Sequence, residues 1–171
     1  NDPESTERCF EIDKSIELAC NWLVSTQDSY TGAWIISGYR NLPHSYYTRV
    51  ASILLDCSTE YSRPSWSNAA HKFMNWVTDQ KQTDGSYHYL QFEKDENFSY
   101  LHAMAYLIEG FKHFGDISGN REYHTYALEY FELIFANSQH LVIPVSRYDG
   151  KTNPIDNEYC MTGLAQLCAV G

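Results

Sequence analysis

No stretch of this sequence is apolar for long enough to span a bilayer, and the opening residues NDPESTERCFEID are acidic, unlike a secretory leader. CxxC pairs, HExxH and close His pairs beside a carboxylate are also missing, so no metal site is expected. Without a P-loop or a GxGxxG, nucleotide chemistry has no footing, and no cofactor is expected. Positive charge is scarce: 12 Lys and Arg face 22 Asp and Glu, a formal net charge of −10. Such a surface as a whole does not attract nucleic acid or anionic membrane, though a local basic spot can still hold an anion. The five cysteines (Cys9, Cys20, Cys57, Cys160, Cys168) are scattered and odd in number, which favours a reducing compartment, the cytoplasm. Cys20, Cys57 and Cys168 sit among apolar residues, where cysteine acts as a small hydrophobe.

Aromatic residues, in contrast, are plentiful, with 14 Tyr and 8 Phe in 171 residues. The length suits one domain over residues 1–171 with a core of its own, and the aromatics suit helix interfaces or a lined cavity. Residues 1–10 read as a frayed lead-in. Ile12, Ile16, Ala19, Cys20 and Leu23 recur at helical spacing and predict an amphipathic helix ending near Gln27. The spacing predicts a second such helix over Ser65–Gln80, with Trp66, Ala69, Ala70, Phe73, Met74 and Val77 on one face. A third spans Arg121–Asn137, with Tyr123, Ala127, Tyr130, Phe131 and Ile134 facing inward. Between them lie segments that are apolar nearly all round: HSYYTRVASILLDC, Phe98–Gly115 and Asn157–Val170. A helix with no polar face has to be surrounded.

The two kinds of helix alternate in a repeat of about fifty residues, seen three times. Each unit is an amphipathic helix, a long Gly-containing connector, a buried helix and a short turn. The connectors include Asp84-Gly85 and Asp149-Gly150, which read as turns, and the extended stretch HLVIPVSR. The alternation predicts an all-α fold of about three hairpins in two layers, the buried helices inside. All long connectors then lie on one face, together with the N-terminal turns of the inner helices. Trp22, Trp66 and Trp76 are expected to pack within the outer layer.

The repeat residues WLVSTQDSYTGAW and WVTDQKQTDGSY, with the weaker FANSQ and RYDGK, resemble α/α-toroid proteins carrying prenyltransferase- and squalene-oxidase-type repeats. HSYYTRVASILL, LHAMAYLIEGF and YCMTGLAQ are similar, in that order, to uncharacterised bacterial toroid proteins of sugar and polysaccharide gene sets. The resemblance covers about Ser15 to Ala169. It implies a partial α/α toroid and a carbohydrate ligand. Full toroids have more hairpins than this chain, so the resemblance implies the C-terminal portion of a larger barrel, completed by a missing N-terminal half or by a homo-oligomer. The DxDD acid of terpene cyclases and the zinc ligands of protein prenyltransferases have no match here.

Three groups of polar residues fall where the inner helices begin. Tyr46 and Arg49 share a helix face, and His44 caps the same segment. His102, Tyr106 and Glu109 form another face, and Glu158 and Gln166 belong to the last helix. Arg49 suits a carboxylate, and His102 or Tyr106 suits proton transfer, with Tyr46 beside them. Trp34, Tyr87 and Tyr89 on the connectors are expected to stack on sugar rings. The chemistry expected is that of a lyase or epimerase on a uronic-acid-type sugar, with Arg49 acidifying the α-proton. Two other readings stay open: a non-catalytic domain that packs on a partner or second copy, and a terpenoid- or prenyl-binding toroid. The same polar groups also suit a satisfied network that merely holds the helices in register.

Overall fold

The computed structural model describes residues 3–138 and 143–171. Among these residues six α-helices carry the fold, with one short two-stranded ribbon. Helix α1 spans Pro3–Thr26, so the expected lead-in is helical from Pro3 onward. Periodicity announces a helix only where one face is buried, and here Phe10, Ile12, Leu18 and Trp22 stay more than half exposed. Of the expected α1 stripe only Cys20 is buried; Ile16 and Leu23 are half-buried and Ala19 is exposed. Trp22 is a surface side chain, unlike the buried Trp66 and half-buried Trp76.

A 3-10 turn at Ser45–Tyr47 leads into α2, Thr48–Glu60. This helix is not apolar all round: Arg49, Ile53 and Asp56 form an exposed line. A tight turn hands the chain to α3, Pro64–Thr78, where proline occupies the first turn and no N–H is lost from the ladder. All six residues of its expected stripe are buried. Strand β1, Phe98–Tyr100, precedes α4, Leu101–Ser118, so the expected helical start at Phe98 is extended chain. Gly115 does not end α4. It lies where His124 of the next helix packs, 2.9 Å from where a Cβ would stand. Gly119 ends the helix instead, in the left-handed conformation with φ +69°.

Helix α5 spans Arg121–Asn137, and the Asn120 side chain caps it by accepting from the Glu122 N–H at 3.0 Å. Strand β2, Arg147–Asp149, pairs antiparallel with β1, Phe98 opposite Asp149. The expected extended stretch 140–147 lies partly outside the described residues; its end forms the start of β2. Helix α6, Met161–Val170, starts later than Asn157, because residues 157–160 run as non-helical chain and Ser146 N–H donates to the Glu158 carbonyl at 2.7 Å.

Helices α2, α4 and α6 form a row with α4 in the middle. Helix α3 packs on α2, α5 packs on α4, and α1 rests on α2 and α3. Two glycines set the spacing of the row. A Cβ on Gly110 would stand 2.2 Å from Thr48 Oγ1, and one on Gly163 would stand 2.9 Å from the His102 backbone nitrogen. Thr48 Oγ1 also donates to the Tyr106 carbonyl at 3.1 Å, satisfying a buried hydroxyl at the crossing. Trp66, Phe73, Phe111, Phe114 and Tyr130 fill the space between the row and the helices outside it.

The long connectors meet one another on one face. Arg40 pairs with Glu93 at 3.0 Å, joining the first to the second. Ser45 N–H donates to the Tyr89 carbonyl at 2.9 Å, and Gln82 reaches the Gly150 carbonyl of the third connector at 3.4 Å. Asp84 and Asp149 serve turns there, accepting from Ser86 and from Lys151 and Asn153.

Candidate functional site

The N-terminal ends of α2 and α4 present a half-exposed stripe. Burying both faces of α4 leaves only His102, Tyr106 and Glu109 partly open along its first three turns. Arg49, in the first turn of α2, lies across this stripe. Its guanidinium sits 4.4 Å from the centre of the Tyr106 ring, and its Nε is 3.3 Å from Glu109 Oε2. With the two side chains 44% and 37% exposed, that ion pair contributes under ~1 kcal/mol, and water or a ligand can compete for it.

His102 stands against aromatic rings: Phe92 at 5.2 Å, Tyr100 at 5.7 Å and Tyr106 at 6.0 Å. Phe92 continues to Tyr46 at 5.5 Å, and Tyr46 stacks on His44 at 4.7 Å. A continuous belt of rings therefore runs from the start of α2 to the start of α4. His102 also meets Cys160, whose Sγ is 3.8 Å from its Nδ1. Burial holds the His102 imidazole below its ordinary pKa, so the ring is neutral at neutral pH and can accept a proton. Burial pushes the Tyr46 phenol up, so it stays protonated at neutral pH and is a poor proton donor.

Of the residues expected to bind a ligand, Trp34 and Tyr87 are core side chains. Trp34 is 4% exposed, stacks on Phe73 at 4.5 Å and donates its indole N–H to the Leu23 carbonyl at 2.8 Å. Tyr87 is buried between Phe111 and Tyr130. Neither can stack on a sugar from there, because each side chain is only 4% exposed. Tyr89 remains on the surface at 37% exposure, against Trp76. His44 is 1% exposed, and Nε2 meets the Tyr39 carbonyl at 2.9 Å. A carbonyl only accepts, so Nε2 carries the proton and Nδ1 is left as a buried nitrogen without a partner. Glu158 is exposed, and Gln166 is half-buried with an unpartnered buried Oε1.

A groove of about 550 Å³ runs between α1 and α2, lined by Ile16, Leu23, Tyr46, Arg49, Ile53 and Tyr106 among others. Its walls are apolar except at the Arg49 end. A second hollow of about 330 Å³ lies among the connectors, beside Tyr87, Tyr89, Glu96 and Phe98. His102 lines neither. Among the described residues no group of three or more His, Cys, Asp or Glu side chains could hold a metal ion, and no helix is long and apolar enough to cross a membrane.

Sequence reasoning missed Cys160, Phe92 and Tyr100. The repeat register held a signal for Cys160: it stands at the start of α6 as His102 stands at the start of α4, and these two helices pack side by side. Cys168, expected among core residues, is exposed, while Cys20 is buried and Cys57 half-buried.

Buried His44 and half-buried His71 and His102 predict acid sensitivity. Burial lowers the pKa of His44, His71 and His102 in the folded chain, whereas the unfolded chain takes up these protons near pH ~6.5. The unfolded state therefore binds more protons below that pH, and stability falls as pH drops from about 6.5. Urea midpoints are expected to be flat above pH 7 and to decline toward pH 5, with a shallower decline in His44→Gln. An identical slope in that variant removes His44 from the account.

No family model, curated protein or solved structure matches this chain.

Proposed function

We propose that the chain is part of an α/α toroid that binds a carboxylated carbohydrate, of uronic-acid or polysaccharide type, on its long-connector face and moves a proton on it as a lyase or epimerase. The row α2, α4, α6 corresponds to the inner layer of such a barrel, and α1, α3 and α5 to the outer one. The observation that carries the reading is the meeting of Arg49, Tyr106 and His102 on one open stripe beside an aromatic belt. Arg49 offers paired N–H donors to a carboxylate, which can displace the exposed Glu109. Neutralising that carboxylate acidifies the neighbouring C–H, and neutral His102 takes the proton. Phe92, Tyr100 and Tyr106 offer partly open ring faces, and Tyr89 is a surface tyrosine of the second connector. The described cysteines are free thiols, which supports a reducing compartment such as the cytoplasm.

The test uses a panel of oligosaccharides with and without uronate, read by calorimetry and by formation of unsaturated product. Arg49→Ala is expected to weaken uronate binding tenfold or more, since a charge-assisted hydrogen bond contributes ~1.5–3 kcal/mol. His102→Ala is expected to abolish turnover with binding retained. Unchanged binding in Arg49→Ala together with unchanged turnover in His102→Ala overturns the reading.

An assembly role is the second reading, supported by the apolar α1–α2 groove with exposed Ile53 on its wall and by exposed Phe10, Leu18 and Trp22 elsewhere on α1. A second copy or further chain seated there would show as a concentration-dependent mass in solution.

A further inference from the structure

We propose that Cys160, His102 and the first backbone N–H groups of α6 form an acyl-accepting thiol site, which takes an acyl group from an ester or thioester. This goes beyond the carbohydrate reading and shares with it His102 and the rings around it. The nucleophile and its base come from different helices, 58 residues apart in sequence, and meet with Sγ 3.8 Å from Nδ1, at the outer reach of a sulfur hydrogen bond. Such contacts are often long without substrate and tighten when it binds. Cys160 is a free thiol, half-buried, and not one of the exposed surface cysteines. It caps α6, with the Gly163 N–H donating to Sγ at 3.4 Å.

The third part is the opening of α6 itself. Gly163 N–H is taken by Sγ and Leu164 N–H by the Cys160 carbonyl at 2.9 Å. The N–H groups of Met161 and Thr162 have no acceptor among the described residues, and both residues are exposed. The first N–H groups of a helix carry partial positive charge and suit a developing oxyanion. Phe92, Tyr100 and Tyr106 around the imidazole give the leaving group an apolar wall and limit water.

In the step, the Sγ proton passes to His102 Nδ1 while the sulfur electron pair forms a bond to the carbonyl carbon. The carbonyl π electrons move onto oxygen, held by the Met161 and Thr162 N–H groups. Collapse of the adduct restores the carbonyl and expels the alkoxide or thiolate, which leaves with the proton from His102. The product is a thioester on Cys160, which water hydrolyses with His102 again as base.

The experiment uses p-nitrophenyl acetate on the whole chain, with nitrophenolate release followed on the millisecond scale and the acylated peptide located by mass spectrometry. The expected result is a burst stoichiometric with protein and acetyl on Cys160. Cys160→Ser keeps an oxygen to cap α6 and so keeps the fold, and its burst is expected to vanish. His102→Gln is expected to slow acylation ~100-fold, the lower end of general-base contributions. Cys168→Ala, at the far end of α6, should change nothing. Iodoacetamide at pH 7 gives an independent readout: Cys160 should be alkylated faster than the more exposed Cys168, and His102→Gln should remove the difference. Acetyl on any other residue, a burst that survives Cys160→Ser, or slower alkylation of Cys160 than of Cys168 each overturns the proposal. None of these outcomes bears on uronate binding, which Arg49→Ala reads separately.

Discussion

Gly110→Ala is expected to force α2 away from α4 and to lower the melting temperature by roughly 10 °C, read by circular dichroism. In an isolated helix the change would stabilise, since alanine is favoured over glycine by about 1 kcal/mol. Here the added Cβ would stand 2.2 Å from Thr48 Oγ1, 2.4 Å from its Cβ and 2.5 Å from its backbone carbon. No rotamer of Thr48 relieves the last two contacts, so the helices themselves must separate. Overpacking of this kind costs about 3 kcal/mol or more at its upper end, which outweighs the propensity gain. Thr48→Ala in the same chain removes only the first contact and is expected to recover a minor part of the loss. A wild-type melting temperature in Gly110→Ala would show that the α2–α4 crossing is wider than described.

Phe73→Ala carries the other large effect. The ring is fully buried on α3, stacked on Trp34 at 4.5 Å and beside Trp76 at 5.5 Å. Its removal leaves a cavity between two indoles that belong to different elements and cannot both close over it. The expected loss is ~3–5 kcal/mol, seen as a shift of the urea midpoint without a change of slope. A loss below ~1 kcal/mol would mean that Trp34 is free to move, and would return it to the list of ligand-facing rings.

Helices α3 and α5 were legible because each buries one face, and a single buried face writes its period into the sequence. Trp66 through Val77 is that case, and all six positions are buried. Helix α4 shows the limit. Covered on most sides, it has little period to read, and its ends had to be inferred from glycine. Gly115 looks like a stop, yet it is glycine because His124 comes too close for a side chain. The true stop, Gly119, differs only in its left-handed backbone, which no local sequence rule separates from close approach. Trp34 failed for a related reason. A tryptophan on a Gly-rich connector reads as a ligand platform, but its indole found an acceptor in Leu23 and a partner in Phe73, neither of them near it in the chain. Arg49, Tyr106 and His102 do come together, as helical spacing and repeat register required. Cys160 was hidden because a cysteine without a motif reads as packing until its neighbour is known.

The two ends of the helix row differ in how they tolerate added chain. At the connector end, hydrogen bonds and the Arg40–Glu93 pair join segments far apart in sequence, so a residue gained or lost in one connector displaces the others. At the opposite end the α4–α5 turn is tied only to its own helices, and Gly119 has open space around it. Lengthening such a turn raises the loop-closure entropy only slowly, by ~0.6 kcal/mol per doubling. A reporter or affinity sequence grafted between Gly119 and Asn120 would therefore leave the aromatic belt, the Arg49 stripe and the Cys160–His102 pair where they are.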